Sequence, residues 1–201
     1  EAFLSCDCHM VFLEMLEEMR QKLDACKAYG KISFPYYIEK KAPVSQSEGI
    51  IEYHCSYEAE VCASDEKDSP SQKKFYVGIE VPIATLCPCS KAISEYGAHN
   101  QRGTVRVKIL YSDFFWIEDI IKGIEQCASS PLYSVLKRKD EKFVTEQAYE
   151  NPRFVEDVVR EVYIFLRNFK IKTPFAWFSV ECENEESIHL HNAYAYTEYS
   201  A

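Results

Sequence analysis

The chain has 201 residues, 47% of them hydrophobic, and a formal net charge of −9 at pH 7. That apolar content is enough for a substantial core, and the acidic balance argues against a nucleic-acid or anionic-membrane binder, while leaving room for an anionic small molecule wherever positive charge gathers locally. No apolar run approaches the roughly 18 residues needed to span a bilayer, and the opening EAFLSCDC lacks the basic start and apolar stretch of a secretory leader, so a soluble, cytoplasmic protein is expected.

Taken in chain order, residues 11 to 29 place Phe12, Met15, Leu16, Met19 and Leu23 at helical spacing, with Gly30 as the stop; this stripe is expected to pack into the core. Residues 50 to 62 alternate. Ile51, Tyr53, Cys55, Tyr57, Ala59 and Val61 share one face and Glu52, His54, Ser56, Glu58 and Glu60 the other, as in a half-exposed antiparallel strand. A polar hairpin loop over 64 to 74 leads to a partner strand over 75 to 83, ended by Pro82. Another alternating strand covers 104 to 111. Residues 116 to 128 and 154 to 169 read as amphipathic helices, the second entered through Asn151-Pro152. Strands over 175 to 184 and 193 to 200 flank the turn EESIHLH, with His189 and His191 alternating at a strand start.

The nine cysteines are odd in number and irregular in spacing, which speaks for reduced thiols rather than a disulfide scaffold; Cys26 and Cys127 sit in apolar helical patterns and read as small buried hydrophobes. Three basic clusters stand out: Lys40 with Lys41; Lys91 with Arg102 and Arg106; and Lys137, Arg138 and Lys139. Each reads either as a solvated patch or as a local anion site.

One run concentrates the chemistry: LCPCSKAISEYGAHNQR, residues 86 to 102. A thiolate and an imidazole, usually with a carboxylate, hold a borderline-soft divalent ion and leave a fourth position for water. Cys87 and His99 are far enough apart in sequence, with Gly97 between them, to fold onto one ion. A structural zinc site would show two close ligand pairs, and only one is visible. A redox pair would have C-x-x-C spacing, whereas these cysteines flank a single proline. A zinc deaminase would carry H-x-E upstream and a second cysteine after Pro-Cys at the proper distance. An idle, cysteine-rich loop is the remaining reading.

The run is similar to the motif of the type IB GTP cyclohydrolases, matching in order at the cysteine pair, Ser-Lys, Tyr-Gly-Ala-His and Asn-Gln-Arg. ISFPYYIEKKAPVS (32 to 45), LKRKDEKFVTEQAYENPRFVEDVVR (136 to 160) and ENEESIHLHNAYA (183 to 195) also resemble family blocks, so the resemblance covers nearly the whole chain from about residue 9. It implies an α+β tunnelling fold: antiparallel sheets backed by helices, two modules per subunit, and barrels completed by oligomerisation into a homotetramer with interfacial sites. On that basis residues 1 to 63 are expected to be the remainder of a first module without its opening strands, CHMVF (8 to 12) being what is left of a Thr-His-Met-Ser-Arg-Phe run. Residues 75 to 201 are expected to form the second module, carrying the metal site.

The activity implied is hydrolysis of GTP to formate and 7,8-dihydroneopterin triphosphate, the first step of pterin-related biosynthesis feeding folate or a modified tRNA base such as queuosine. The resemblance makes Cys87, His99 and Glu141 the ligands of a divalent metal, Zn²⁺, Mn²⁺ or Fe²⁺. It makes Cys89 a proton-transferring or nucleophilic thiol, or else a packed thiol beside the metal. Glu186, His189 and His191 become acid-base groups, and Glu156 the acceptor for the guanine edge. With no G-x-x-x-x-G-K-[ST] run in the chain, Lys40, Lys41, Ser45, Lys91 and Arg102 are the candidates for the triphosphate. The competing readings are an archaeal-type enzyme that stops at the 2′,3′-cyclic phosphate, a purine- or pterin-binding protein of the same fold without turnover, and a nitrile reductase, whose Glu-Ser-Lys-Ser run is absent.

Overall fold

Apolar residues at every second position build most of this molecule. In the computed structural model, which describes residues 8–64 and 70–201, they form long antiparallel strands. Helix α1 (Cys8–Lys22) precedes β1 (Lys27–Lys41), β2 (Glu48–Cys62) and β3 (Gln72–Leu86). A one-and-a-half-turn helix α2 (Pro88–Ile93) leads to β4 (Asn100–Leu110), α3 (Ile117–Cys127) and the two-residue β5 (Ser130–Pro131). Helices α4 (Arg138–Glu150) and α5 (Val155–Arg167) then precede β6 (Trp177–Glu185) and β7 (Ala193–Ser200). The strands make one sheet in the order β1-β2-β3-β4-β6-β7, with β5 pairing β3. This is an α+β architecture, an antiparallel sheet backed by helices.

One sheet face is dry. Val77, Ile79, Val81 and Ile83 of β3, with Val105, Val107 and Ile109 of β4, join a core shared with Ile120 and Ile124 of α3 and Val158 and Val162 of α5. Gly123 is the contact that lets α3 and α5 close up, because a Cβ there would lie 2.0 Å from Cζ of Phe165. The opposite face is polar and forms an open groove of 510 Å³, lined among others by Lys31, Glu58, Arg106 and Lys108. No helix among the described residues is long and apolar enough to cross a membrane.

Four local expectations are corrected. Helix α1 ends at Lys22, because Asp24 takes a left-handed φ of 48° and the N–H groups of Asp24 and Ala25 close back onto the carbonyls of Gln21 and Arg20. Gly30 lies inside β1, where a Cβ would come within 2.9 Å of Cζ of Phe12, so this glycine admits α1 to the sheet. Of the expected stripe only Phe12 and Leu16 are buried, joined by Leu13, while Met15, Met19 and Leu23 are exposed, as is Cys26. Strand β3 runs through Pro82 to Leu86, since β2 stops pairing with β3 at Glu80 and leaves the proline no ladder bond to forfeit on that side. Leu86, four residues on and pointing the same way, gives its N–H to the Ser129 hydroxyl instead.

The tract 186–192 is irregular rather than a strand start. Residues 65–69 of the expected hairpin loop, together with Cys6, lie outside the described residues. The expected module boundary falls between β2 and β3, which pair from His54↔Glu80 to Cys62↔Gln72. The described cysteines form no disulfide with one another, and Cys127 is buried as expected.

Candidate active site

The β3–β4 ladder fixes the first pair of side chains. Beyond its last strand rung, Leu86↔Asn100, the Cys87 N–H still donates to the His99 carbonyl at 3.1 Å, so cysteine and histidine stand opposite each other where the two strands open. Cys87 also caps α2, its Sγ accepting the Ser90 N–H at 3.4 Å, and Pro88 occupies the first turn, where a missing N–H is harmless. The Ser90 hydroxyl is used twice, donating to the Cys87 carbonyl at 3.2 Å and accepting the His99 N–H at 3.3 Å. Gly97, at φ 128°, lets the chain return. Cys89 is exposed on the short helix between the two.

A second segment leans on this pair. His99 Nδ1 lies 3.0 Å from the Ser187 hydroxyl, and Gln101 Nε2 donates to Glu186 at 3.3 Å. The tract that supplies Glu186 and Ser187 also carries His189 and His191, whose exposed rings stack with centroids 5.2 Å apart. Glu156 is exposed in the first turn of α5, a helix tied to the cysteine loop through the Arg153 N–H, which donates to the carbonyl of Leu86 at 3.1 Å.

Glu141 belongs to another neighbourhood. It is exposed in the first turn of α4, next to Asp140, a carboxylate with no exposure that accepts the N–H groups of Val44 and Ser45 at 2.8 and 2.6 Å and that of Lys137 at 2.8 Å. Burial pushes the Asp140 carboxyl up, but these bonds outweigh it and hold the group well below the usual carboxylate range. The clamp fixes the 42–47 turn, with Ser45 inside it and Lys41 beside it, paired to Glu48 at 3.1 Å. The far end of α4 is what meets the cysteine loop, where Lys91 donates to the Tyr149 carbonyl and lies over the Tyr149 ring. From Glu141 to Tyr149 is about 12 Å along the helix axis.

The donor set expected for a divalent ion is chemically apt, since thiolate, imidazole and carboxylate suit a borderline metal. A single chain brings two of the three together: Cys87 stands opposite His99, Glu141 stands apart, and among the described residues no three His, Cys, Asp or Glu side chains converge on one point. The expected cations also separate. Lys40 of β1 is half-buried, 2.7 Å from Glu125 of α3 and 2.9 Å from the Leu132 carbonyl, and Glu125 takes the Tyr53 hydroxyl as well. Burial lowers the Lys40 ammonium, against the opposing pull of Glu125. Arg102 is exposed on β4, opposite Glu185 of β6.

Asp140, Gln101, Ser187 and Glu125 did not stand out in the sequence. Asp140 had a readable cue, its place three residues after the helix cap at Lys137. The other three act on partners 72 to 88 positions away.

Comparison with known proteins follows the same residues. Positions 5–195 match a family model described as type I GTP cyclohydrolase folE2. The chain is 54% identical over 186 residues to a GTP cyclohydrolase FolE2 of Citrifermentans bemidjiense, a match that covers 92% of this chain and 66% of the relative. It is 52% identical over 186 residues to the FolE2 of Syntrophotalea carbinolica, with the same coverage, and 51% identical over 187 residues to that of Syntrophus aciditrophicus, covering 93% and 69%. The chain thus spans about two thirds of the length of these relatives.

Proposed function

The chain belongs to the type I GTP cyclohydrolase FolE2 family, and from that premise we propose that it hydrolyses GTP, releasing formate and giving 7,8-dihydroneopterin triphosphate. The observation that carries the reading is the rung between Cys87 and His99, a thiol and an imidazole held opposite each other at the mouth of the sheet, with Glu186 and two further histidines on the segment that leans on it. Opening the purine ring at C8 needs a polarised water and proton transfers to ring nitrogen and ribose carbon. A divalent ion, Zn²⁺, Mn²⁺ or Fe²⁺, would be held by Cys87 and His99 with Glu141, and when bound it supplies water acidified to near neutral pH.

The chain's own groups divide the remaining work. Glu156 accepts the ring N–H and exocyclic amine of guanine as a charge-assisted pair. His189, His191 and Glu186 pass protons around the opened base and ribose, and Cys89 offers a thiol one residue beyond the proline. Lys41, Ser45, Lys91 and Arg102 supply the triphosphate contacts. Lys40 contributes by holding β1 against α3, given its half-buried pairing with Glu125. The gap of about 12 Å between Glu141 and the cysteine loop along α4 supports a site completed between copies, in a tunnelling-fold homotetramer acting in the cytoplasm.

The test is to incubate metal-supplemented protein with GTP and follow formate and, after oxidation, pterin fluorescence. Formate and a fluorescent triphosphate product in equal amounts are expected. Formate with a cyclic phosphate would shift the product assignment, and neither signal with any of the three metals would overturn the reading.

A further inference from the structure

The imidazole of His99 has two nitrogens, and the structure commits one of them. We propose that Ser187 is a positioning residue: its hydroxyl accepts the Nδ1–H of His99, fixing the ring in that tautomer and leaving Nε2 as the only lone pair free to bind a divalent cation. Nδ1 and the hydroxyl are 3.0 Å apart, a full hydrogen bond. The backbone of His99 is already fixed independently, its N–H by Ser90 and its carbonyl by Cys87, so the hydroxyl acts on the ring alone.

Ser187 is delivered to that position by a second bond of the same kind. Gln101 and His99 lie two apart at the start of β4 and so project to the same side. Gln101 holds Glu186 through Nε2 at 3.3 Å while His99 meets Ser187, so two alternate residues of one strand engage two consecutive residues of the 186–192 tract. The Gln101 side chain is buried, and its residue stands opposite Thr85 in the ladder. A histidine whose second nitrogen is occupied presents one defined electron pair, the arrangement that raises basicity and orientation at metal-binding imidazoles. A hydroxyl can donate or accept at 3.0 Å; the acceptor role is assigned because a cation on Nε2 requires that lone pair, and to that extent the inference rests on the proposed function.

Ser187 is exposed, so Ser187→Ala is expected to fold. Long-range proton–nitrogen NMR on metal-free, histidine-labelled protein at about pH 8.5, where imidazole is neutral, reads the tautomer directly, with His99→Gln identifying the signal among five histidines. The wild type is expected to hold His99 as the Nδ1–H form, Ser187→Ala to move it toward the Nε2–H form, and Ser187→Thr to restore it. A wild-type His99 already in the Nε2–H form, or a tautomer indifferent to Ser187→Ala, overturns the proposal.

Titration with Mn²⁺ alone then separates the two readings. Affinity is expected to fall about 10-fold or more in Ser187→Ala and to be lost in Cys87→Ala. Weakening in Cys87→Ala without weakening in Ser187→Ala overturns the positioning role while sparing the metal reading. Unchanged affinity in both variants overturns the metal reading and, with it, the purpose assigned to Nε2, while the tautomer result still decides whether Ser187 sets the ring.

Discussion

Cys87 and Cys89 sit two positions apart, yet only one of them is held. The Cys87 sulfur accepts a backbone N–H and its own N–H reaches across to His99, whereas Cys89 is an exposed thiol on a helix of 6 residues. That contrast fits the proposed division between a cysteine that binds metal and one that reacts. Replacing Cys89 with serine is nearly isosteric and is expected to leave metal content at the wild-type level while lowering kcat by about 10²-fold, the typical worth of a positioned proton-transfer group. Wild-type turnover at full metal occupancy in Cys89→Ser would reduce the thiol to packing. The cysteine pair is legible in the sequence as a candidate because the motif is contiguous. The fate of Lys40 was not, because its partner Glu125 is 85 residues away and a Lys-Lys dipeptide reads equally well as a surface cation. An ion pair leaves no local trace when its halves lie on different elements.

Period-two alternation made β2, β4, β6 and β7 readable, and period 3.6 made α3 and α5 readable to within a few residues. Two misread boundaries share a cause: glycine and proline read as punctuation where the fold uses them for contact. Gly30 brings α1 onto the sheet, and Pro82 sits where β3 has lost a neighbour. Gly123, inside a helix the sequence shows correctly, is also used for contact and is the most constrained, since a Cβ would fall 2.0 Å from the Phe165 ring. Gly123→Ala is therefore expected to lower stability by about 1–3 kcal/mol despite alanine's better helix propensity, with Phe165→Leu restoring part of the loss. A Gly123→Ala protein melting at or above the wild-type temperature would show that the α3–α5 contact has slack. The polar sheet face makes a prediction of a different kind. Glu58, buried in the groove, accepts from Lys108, from Lys31 at 3.0 Å and from the Tyr29 hydroxyl at 3.1 Å. Burial alone would raise its carboxyl, but the two ammonium groups outweigh it and the net shift is downward. In acid the unfolded chain then takes up a proton before the folded one, so this stabilisation is complete above the unfolded value near about 4.3 and is lost as pH falls through the folded value. Urea unfolding between pH 6 and pH 3 should show a shallower loss of stability in Glu58→Gln than in wild type, and parallel curves would exclude Glu58 from the acid transition.

At the scale of the whole molecule, the residues that the sequence groups into one site fall into two places. Cys87, His99 and the 186–192 tract gather where β3 and β4 open, while Glu141, Ser45 and Lys41 gather around the Asp140 clamp at the other end of α4. No sequence pattern distinguishes these halves, because motif order records which residues serve a site and not which copy of the chain delivers them. A rigid helix between the two halves leaves a geometric choice: either α4 moves, or a second chain supplies the missing half. The Asp140 carboxylate, fully buried and bound to three backbone N–H groups, pins the start of α4 and favours the second. Mixing two inactive variants decides between them. Cys87→Ala keeps Glu141, and Glu141→Gln keeps Cys87, so neither protein alone has an intact set. When the two are unfolded together in equal amounts and refolded, sites built across a heterologous contact pair a good cysteine with a good glutamate in about one case in four, and GTP-dependent formate release should return to that fraction of wild type. Sites built within one chain would regain nothing, because every chain carries a defect. Recovery is expected, and a mixture as inactive as its components would place Glu141 and Cys87 in the same subunit's site, with α4 moving to join them.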